Sequence, residues 1–394
     1  MNIKVIPYCF LLVFFAFKSC KKYEPDCIKG CTDPTACNYN VNAKDDDGSC
    51  LYVDVWLCSN DAPTELSIEN VMSFPLPSNP SDNPLTEEGV NLGRHLFYDP
   101  ILSSDSTVSC ASCHQQEYSF GDNKQFSVGV SNALSKRNTP SIINPIFHIQ
   151  EFDWDGKSSS LESQASRPIF NKDELNNNDW CEVLARLSNS NLYQNLFCAA
   201  FGTGDIDSMH VLNAIAQFER ILISSNSKYD QWLNGQYSFN IAETNGFEIF
   251  KSERGDCFHC HPPNSKIFTN NQFQNNGLDA VFSDLGRFNI TNNLNDQGLF
   301  KTPTLRNVEF SAPYMHDGRF STLEEVIEFY NSGGHDSPTV DPLMKYIYSN
   351  PFEIPGQTGL LLTEQEKSDL KAFLLTLSDE TFINNPDLSN PFSE

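Results

Sequence analysis

A helical period runs through most of the chain from Leu85 onward. Between Asp207 and Ile223 the apolar residues Val211, Leu212, Ile215, Phe218 and Leu222 recur at spacings of three and four, which predicts an amphipathic helix. Thr322-Leu323-Glu324-Glu325 has the form of a capping box. Leu323, Val326, Ile327 and Tyr330 then share one face, and Gly333-Gly334 provides the stop. Thr363 to Glu366 is a second capping box ahead of Leu370, Phe373, Leu374 and Leu377. No alternating stretch is long enough to predict a sheet. The expected class is mostly α, with loops rich in Asn, Ser, Gly and Pro between the helices.

The residues before Leu85 read differently. Residues 1–19 have the form of an export signal: Lys4, then an apolar run from Tyr8 to Phe17 that is too short to span a bilayer as a mature helix. Cys20, followed by Lys21-Lys22, resembles a bacterial lipoprotein cleavage site, which predicts a lipid-anchored protein of the cell envelope or periplasm. The alternative is an ordinary secretory signal cut nearby. Residues 21–60 form a small cysteine-rich module that resembles short repeats at the ends of marine bacterial surface proteins. Such a piece needs disulfides, because it has no core of its own. Its Asp45-Asp46-Asp47-Gly48 run reads as a solvated turn rather than a calcium loop. Residues 61–84 carry Pro63, Pro75, Pro77, Pro80 and Pro84 and read as a linker.

Charge and cysteine content narrow the function. The formal charge of −25 excludes nucleic acid as an expected partner, since its binders are basic. Hydrophobic content of 39% is enough for packed cores, so disorder is excluded too. Of the 13 cysteines, Cys27, Cys31, Cys37, Cys50 and Cys58 crowd the N-terminus, an odd number. Cys181 and Cys198 form a plausible pair between neighbouring helices.

Four more cysteines carry the chemistry. Cys110-Ala111-Ser112-Cys113-His114 and Cys257-Phe258-His259-Cys260-His261 both have the form CxxCH, the attachment pattern of c-type haem. Each cysteine adds to a porphyrin vinyl group and the histidine ligates the iron. One helical turn places both sulfurs and the imidazole on the same side of the ring. A zinc site would pair two CxxC units about 15–20 residues apart, whereas these begin 147 positions apart and each ends in histidine.

The sequence between and around these pentapeptides contains Gly93-Arg94-His95-Leu96-Phe97-Tyr98-Asp99-Pro100, Arg137-Asn138-Thr139-Pro140 and Asp153-Trp154-Asp155-Gly156. It continues with Leu161-Glu162-Ser163-Gln164-Ala165, Pro303-Thr304-Leu305-Arg306-Asn307 and Ala312-Pro313-Tyr314-Met315-His316-Asp317-Gly318. In this order the series resembles the bacterial di-haem cytochrome c peroxidase and MauG family, over residues 85 to about 380. The resemblance implies two cytochrome c-like helical domains, 85–235 for peroxide and 236–394 for electron transfer, each with one covalent haem c. It implies reduction of hydrogen peroxide with electrons from a cytochrome c or a small copper protein, and it leaves a homodimer open.

Site residues follow from the same resemblance. Cys110, Cys113 and His114 would hold the peroxide haem; Cys257, Cys260 and His261 would hold the other. Glu174 matches the acid/base glutamate, with Gln164 beside it. Trp154 matches the tryptophan between the haems. Asn138, Ser311 and the carbonyl of Pro313 match a calcium site between the domains, and oxygen donors suit calcium. Arg306 is expected to pair with a haem propionate. Taken alone, Glu174 is one acid among 51 and Trp154 is more often a core residue.

Two positions depart from the peroxidase pattern. Val130 stands where switchable peroxidases place a distal histidine, so the peroxide haem is expected to keep an open sixth position. Tyr330 stands where peroxidases place the second haem's distal methionine; MauG-like members use tyrosine there. Met315 competes for the role, and a purely structural Tyr330 is the third option. The activity therefore reads first as a peroxidase, second as a MauG-like oxidase that uses peroxide to oxidise a protein or small molecule, and third as a non-catalytic electron carrier. Val130 and Glu174 argue against the third, because an electron carrier needs neither an open iron nor an acid.

Overall fold

The structure is a computed structural model that describes residues 28–53, 58, 62–68, 74, 75, 77, 79–148, 151–345 and 359–393. The expected signal, 1–19, the expected lipidation site Cys20, and Cys27 lie outside these residues. The chain divides into two compact units, Met1–Tyr52 and Val53–Glu394.

The smaller unit pairs β1 (Lys29–Gly30) with β2 (Asp45–Asp46) in parallel and closes with a Cys31–Cys50 disulfide. Cys31 and Ala36 are its buried apolar residues. The acidic run begins in β2 and ends in local side-chain turns: Asp46 accepts from the Gly48 N–H and Asp47 from the Ser49 N–H.

The larger unit is helical. Its helices are α1 (Glu87–Tyr98), α2 (Leu161–Phe170), α3 (Trp180–Ser188), α4 (Asn191–Phe201), α5 (Ser208–Arg220), α6 (Lys228–Leu233), α7 (Ile241–Phe250), α8 (Phe288–Thr291), α9 (Leu323–Ser332), α10 (Pro342–Lys345), α11 (Glu364–Leu375) and α12 (Glu380–Ile383). The only strands described in this unit are the two-residue β3 (Phe273–Gln274) and β4 (Phe300–Lys301), paired antiparallel. The two capping boxes expected from the sequence form, with Thr322 and Thr363 each paired to the glutamate three residues on; α5 is capped as well, Asp207 accepting from the His210 N–H. Gly333 ends α9 in the left-handed conformation.

The unit has two main apolar cores built on one plan. In the first half, α1 crosses α5 at Gly93. A Cβ there would lie 1.9 Å from the Ala214 carbonyl oxygen and 2.9 Å from the Phe218 Cβ. In the second half, α7 crosses α11 at Gly246. A Cβ there would lie 1.9 Å from the Asp369 carbonyl oxygen and 2.8 Å from the Phe373 Cβ. Only glycine lets two backbones approach this closely. Phe97 and Phe250 follow their glycines by four residues and are fully buried. Each crossing thus supports one wall of a CxxCH turn.

Two segments depart from the boundary expected after residue 235. Helix α6 packs into the second core through Tyr229, Trp232 and Leu233. The C-terminal residues Phe382 and Leu388 join Phe97, Phe120 and Phe218 in the first half. Arg94 holds them there, its Nε donating to the Ser389 carbonyl at 2.6 Å and its Nη2 to that of Pro386 at 2.9 Å.

Cys58, one of the five N-terminal cysteines, forms a disulfide with Cys198 on α4. The expected partner of Cys198 was Cys181, one helix away; the bond formed instead spans 140 residues. Cys181 and Cys37 are also disulfide-bonded. Among the described residues, the free thiols are those of Cys110, Cys113, Cys257 and Cys260.

Candidate haem-binding active site

Both pentapeptides begin as short 3-10 turns, Cys110–Ser112 and Cys257–His259. In each, the histidine N–H donates back to the first cysteine's carbonyl, at 2.9 Å in both cases. The side-chain arrangement is also repeated. Nδ1 of His114 lies 2.8 Å from the Phe120 carbonyl oxygen, and Nδ1 of His261 lies 2.9 Å from that of Phe268. Both phenylalanines are buried and left-handed, at φ +55° and +51°. That conformation turns their carbonyls onto the imidazoles. A Nδ1–H donated to a carbonyl makes Nε2 the lone-pair nitrogen, the form a metal binds. Burial pulls both imidazoles below their ordinary pKa, His261 to about 4, so both are neutral at pH 7.

The thiols are protonated as well. Burial pushes Cys110, Cys257 and Cys260 up to about 12 and Cys113 to about 11. A redox-active CxxC needs a lowered thiol pKa, so these are not dithiol catalysts. Nor do they form a zinc site. The one metal-sized group of three ligand atoms among the described residues is Glu253, Asp256 and His259, which contains no cysteine.

Cys110, Cys113, His114, Cys257, Cys260 and His261 all line one continuous cavity of about 1270 Å³. A free thiol pair, a neutral imidazole on the same turn and a large apolar-walled space are what a covalently held haem requires, so the residues fit that group. They are present twice.

Glu174, Gln164 and Trp154 line the same cavity. Gln164 comes from α2. Glu174 follows that helix, and its Oε1 accepts from the Asn171 amide at 2.5 Å. Burial raises the Glu174 pKa, opposed by that hydrogen bond, so its carboxyl holds a proton nearer neutrality than an exposed glutamate would. Its backbone carbonyl accepts from the Val130 N–H at 2.9 Å. Val130 is buried, and Ser127 and Gly129 of its loop line the cavity. Trp154 joins the halves: its Nε1–H donates to the Asn138 carbonyl at 2.8 Å, and its carbonyl accepts from the Lys301 N–H at 2.8 Å. Asn138, Ser311 and Pro313 also line the cavity. The Asn138 amide nitrogen is engaged with the Lys124 and Gln125 carbonyls.

Arg306 is placed differently from expectation. Its guanidinium is fully buried and forms a bidentate pair with Asp230, at 2.8 and 2.7 Å, while its Nε donates to the Lys266 carbonyl at 2.5 Å. Asp230 takes the place expected for a cofactor carboxylate, because an internal carboxylate satisfies the buried charge.

Sequence reasoning missed two cavity residues. Glu219, near the end of α5, lines the cavity, and burial pushes its carboxyl up to about 8. It sits four residues after Ile215, on the apolar stripe, and a charge on that stripe was the available signal. Asn276, in the loop after β3, also lines the cavity. Asparagine is common in loops, so nothing in the sequence marked it.

The sequence pattern described as di-haem cytochrome c peroxidase matches residues 87–238. A methylamine utilization protein MauG from Methylorubrum extorquens is 38% identical over 305 residues, 76% of this chain and 81% of that protein. The chain belongs to the di-haem cytochrome c peroxidase and MauG family. The cytochrome c peroxidase Ccp of Escherichia coli is 31% identical over 331 residues, 82% of this chain and 64% of that protein. Among solved structures of the family, a MauG-like protein associated with microbial copper homeostasis superposes with a TM-score of 0.73 at 34% identity, covering 83% of this chain and 99% of that one. No helix among the described residues is long and apolar enough to cross a membrane.

Proposed function

We propose that this chain is an exported di-haem cytochrome c peroxidase, reducing hydrogen peroxide to two waters with two protons and two electrons from a small redox protein. The observation that carries the reading is the single cavity that joins both CxxCH turns to a half-buried carboxyl, Glu174. Cys110, Cys113 and His114 would hold one haem c, and Cys257, Cys260 and His261 the other. The haems supply the iron that breaks the O–O bond and a store for the electrons.

The protein's own part is protonic and positional. Glu174 takes a proton from the near peroxide oxygen and returns it to the leaving one. Asn171 fixes one of its oxygens, which aims the other. Gln164 orients the bound peroxide. Trp154, tied to both halves by its hydrogen bonds, would relay electrons from one cofactor to the other. Val130 leaves the peroxide side without a competing imidazole. Asn138, Ser311 and Pro313 would offer oxygens to a calcium ion. Export, with Cys20 as anchor, agrees with the disulfides Cys31–Cys50 and Cys58–Cys198.

Peroxide turnover with reduced cytochrome c tests this reading. Glu174→Gln should lower kcat by roughly 10²–10⁴ with little change in haem content. Wild-type turnover no faster than free haem would overturn it. A second reading, MauG-like oxidation of a protein or small molecule by peroxide, is favoured by Tyr330. That side chain lines the second half of the cavity, beside the CxxCH turn of Cys257 and Cys260. Under this reading Tyr330 ligates the second haem. Peroxide consumption that needs no cytochrome c but leaves an oxidised organic product would select it.

A further inference from the structure

Three side chains meet on the second half's cavity wall: Asn276, Tyr330 and Met315. The loop that presents Asn276 is firmly anchored. Asn275 Oδ1 accepts from the Gly277 N–H at 3.0 Å, and its Nδ2 donates to Ser337 Oγ at 3.0 Å and Thr339 Oγ1 at 3.1 Å. The Gly277 carbonyl accepts from the His335 N–H at 2.7 Å. Asn276 therefore has little freedom. Its Nδ2 lies 3.1 Å from Tyr330 Oη and 3.5 Å from Met315 Sδ. An amide nitrogen carries two hydrogens, so one group serves both acceptors.

The two acceptors are held as firmly. Tyr330 is three residues before the Gly333 cap of α9. Met315 has φ +74°, a conformation an L side chain rarely adopts. It is pinned by the Tyr314 N–H to the Phe320 carbonyl at 2.7 Å and by its own carbonyl to the Gly318 N–H at 3.1 Å. Strain of this kind persists only where the surroundings over-determine it.

We propose that Asn276 is the positioning residue that selects oxygen over sulfur as the second axial donor of the C-terminal haem. The proposal rests on the reading that this half binds a haem through His261 with Tyr330 facing its open side. The N–H donated to Oη fixes the Tyr330 oxygen at the cavity wall, where it can serve as a donor. A donated N–H on Sδ occupies a sulfur lone pair that an iron would otherwise use. The same amide thus promotes Tyr330 and detains Met315. Removing it reverses both effects, and a methionine–histidine haem has the higher potential.

The test uses holoprotein carrying both haems, read by near-infrared absorption, EPR of the ferric state and a redox titration. Asn276→Leu should weaken the tyrosinate signature, produce a thioether-to-iron charge-transfer band and raise the second haem's midpoint potential. The band should vanish again in the Asn276→Leu/Met315→Leu double variant. Asn276→Asp keeps the shape but replaces the donor by an acceptor, and it should move the spectrum in the same direction; it decides the matter if the leucine variant does not accumulate. Unchanged spectra and potential in both single variants overturn the proposal. Tyr330→Phe separates this from the underlying reading. If it changes the spectrum and the Asn276 variants do not, selection by Asn276 alone is refuted. If it changes nothing, tyrosine ligation fails and the selection proposal fails with it.

Discussion

Replacing Arg306 with methionine isolates the largest buried charge pair of the second half. The arginine side chain is completely enclosed, with Asp230 gripping it through two hydrogen bonds. Methionine keeps an aliphatic stem but removes the charge, together with the guanidinium carbon that lies 4.4 Å from the Phe74 ring centroid. Asp230 is then left buried without its cation. Breaking such a pair costs about 3–5 kcal/mol. Asp230 still accepts from the Ser227 N–H at 2.9 Å and Oγ at 2.7 Å, so the loss belongs near the lower end, about 3 kcal/mol. The pH dependence is a second signature. Burial is the strongest influence on Asp230 and opposes its ionisation, yet Arg306 and Ser227 together hold its pKa below the ordinary value. Wild-type protein therefore gains stability above the unfolded pKa of about 3.9 and loses it as pH falls through the lower folded value. Without Arg306, burial raises the folded pKa, so the penalty exists above the unfolded value and is relieved in acid. The gap between the two proteins should shrink towards low pH. Denaturant unfolding followed by far-UV circular dichroism at several pH values measures it. A loss below about 1 kcal/mol, accompanied by a shifted haem potential, would refute the assignment and restore a cofactor carboxylate as the partner.

Three further outcomes follow from the packing and charges. Gly93→Ala and Gly246→Ala should each force a helix crossing apart and cost at least about 1–3 kcal/mol, read by thermal unfolding, whereas an alanine at the open Gly235 would act only through its positive φ. Glu219, whose pKa is raised by burial, makes the fold lose stability as pH rises from about 4.5 to about 8, by at most on the order of 4–5 kcal/mol. Glu219→Gln should flatten that part of the pH–stability profile; an unchanged slope would count against a buried carboxyl there. Cys257→Ala with Cys260→Ala should halve the haem that stays with the protein after acid–acetone extraction, and retention of two equivalents would deny the second attachment site.

Local rules made much of this protein legible. Helix starts at Thr322 and Thr363 could be read because a cap satisfies N–H groups two or three residues away, and those residues are neighbours in the sequence. The CxxCH turns were legible for the same reason, since the sulfurs and the imidazole belong to one turn of backbone. What the sequence left open involves partners brought together from a distance. Asp230 lies 76 residues from Arg306, and nothing near either names the other. Cys58 met Cys198 across 140 residues, not the nearer Cys181. Tyr330 and Met315 were both visible as candidates, but only folding placed one amide nitrogen against both. Hydrogen bonding inside a turn depends on a few torsions and is written residue by residue. The pairing of a buried charge, or the choice between two donors, depends on which distant groups share the same enclosed space, and packing alone sets that.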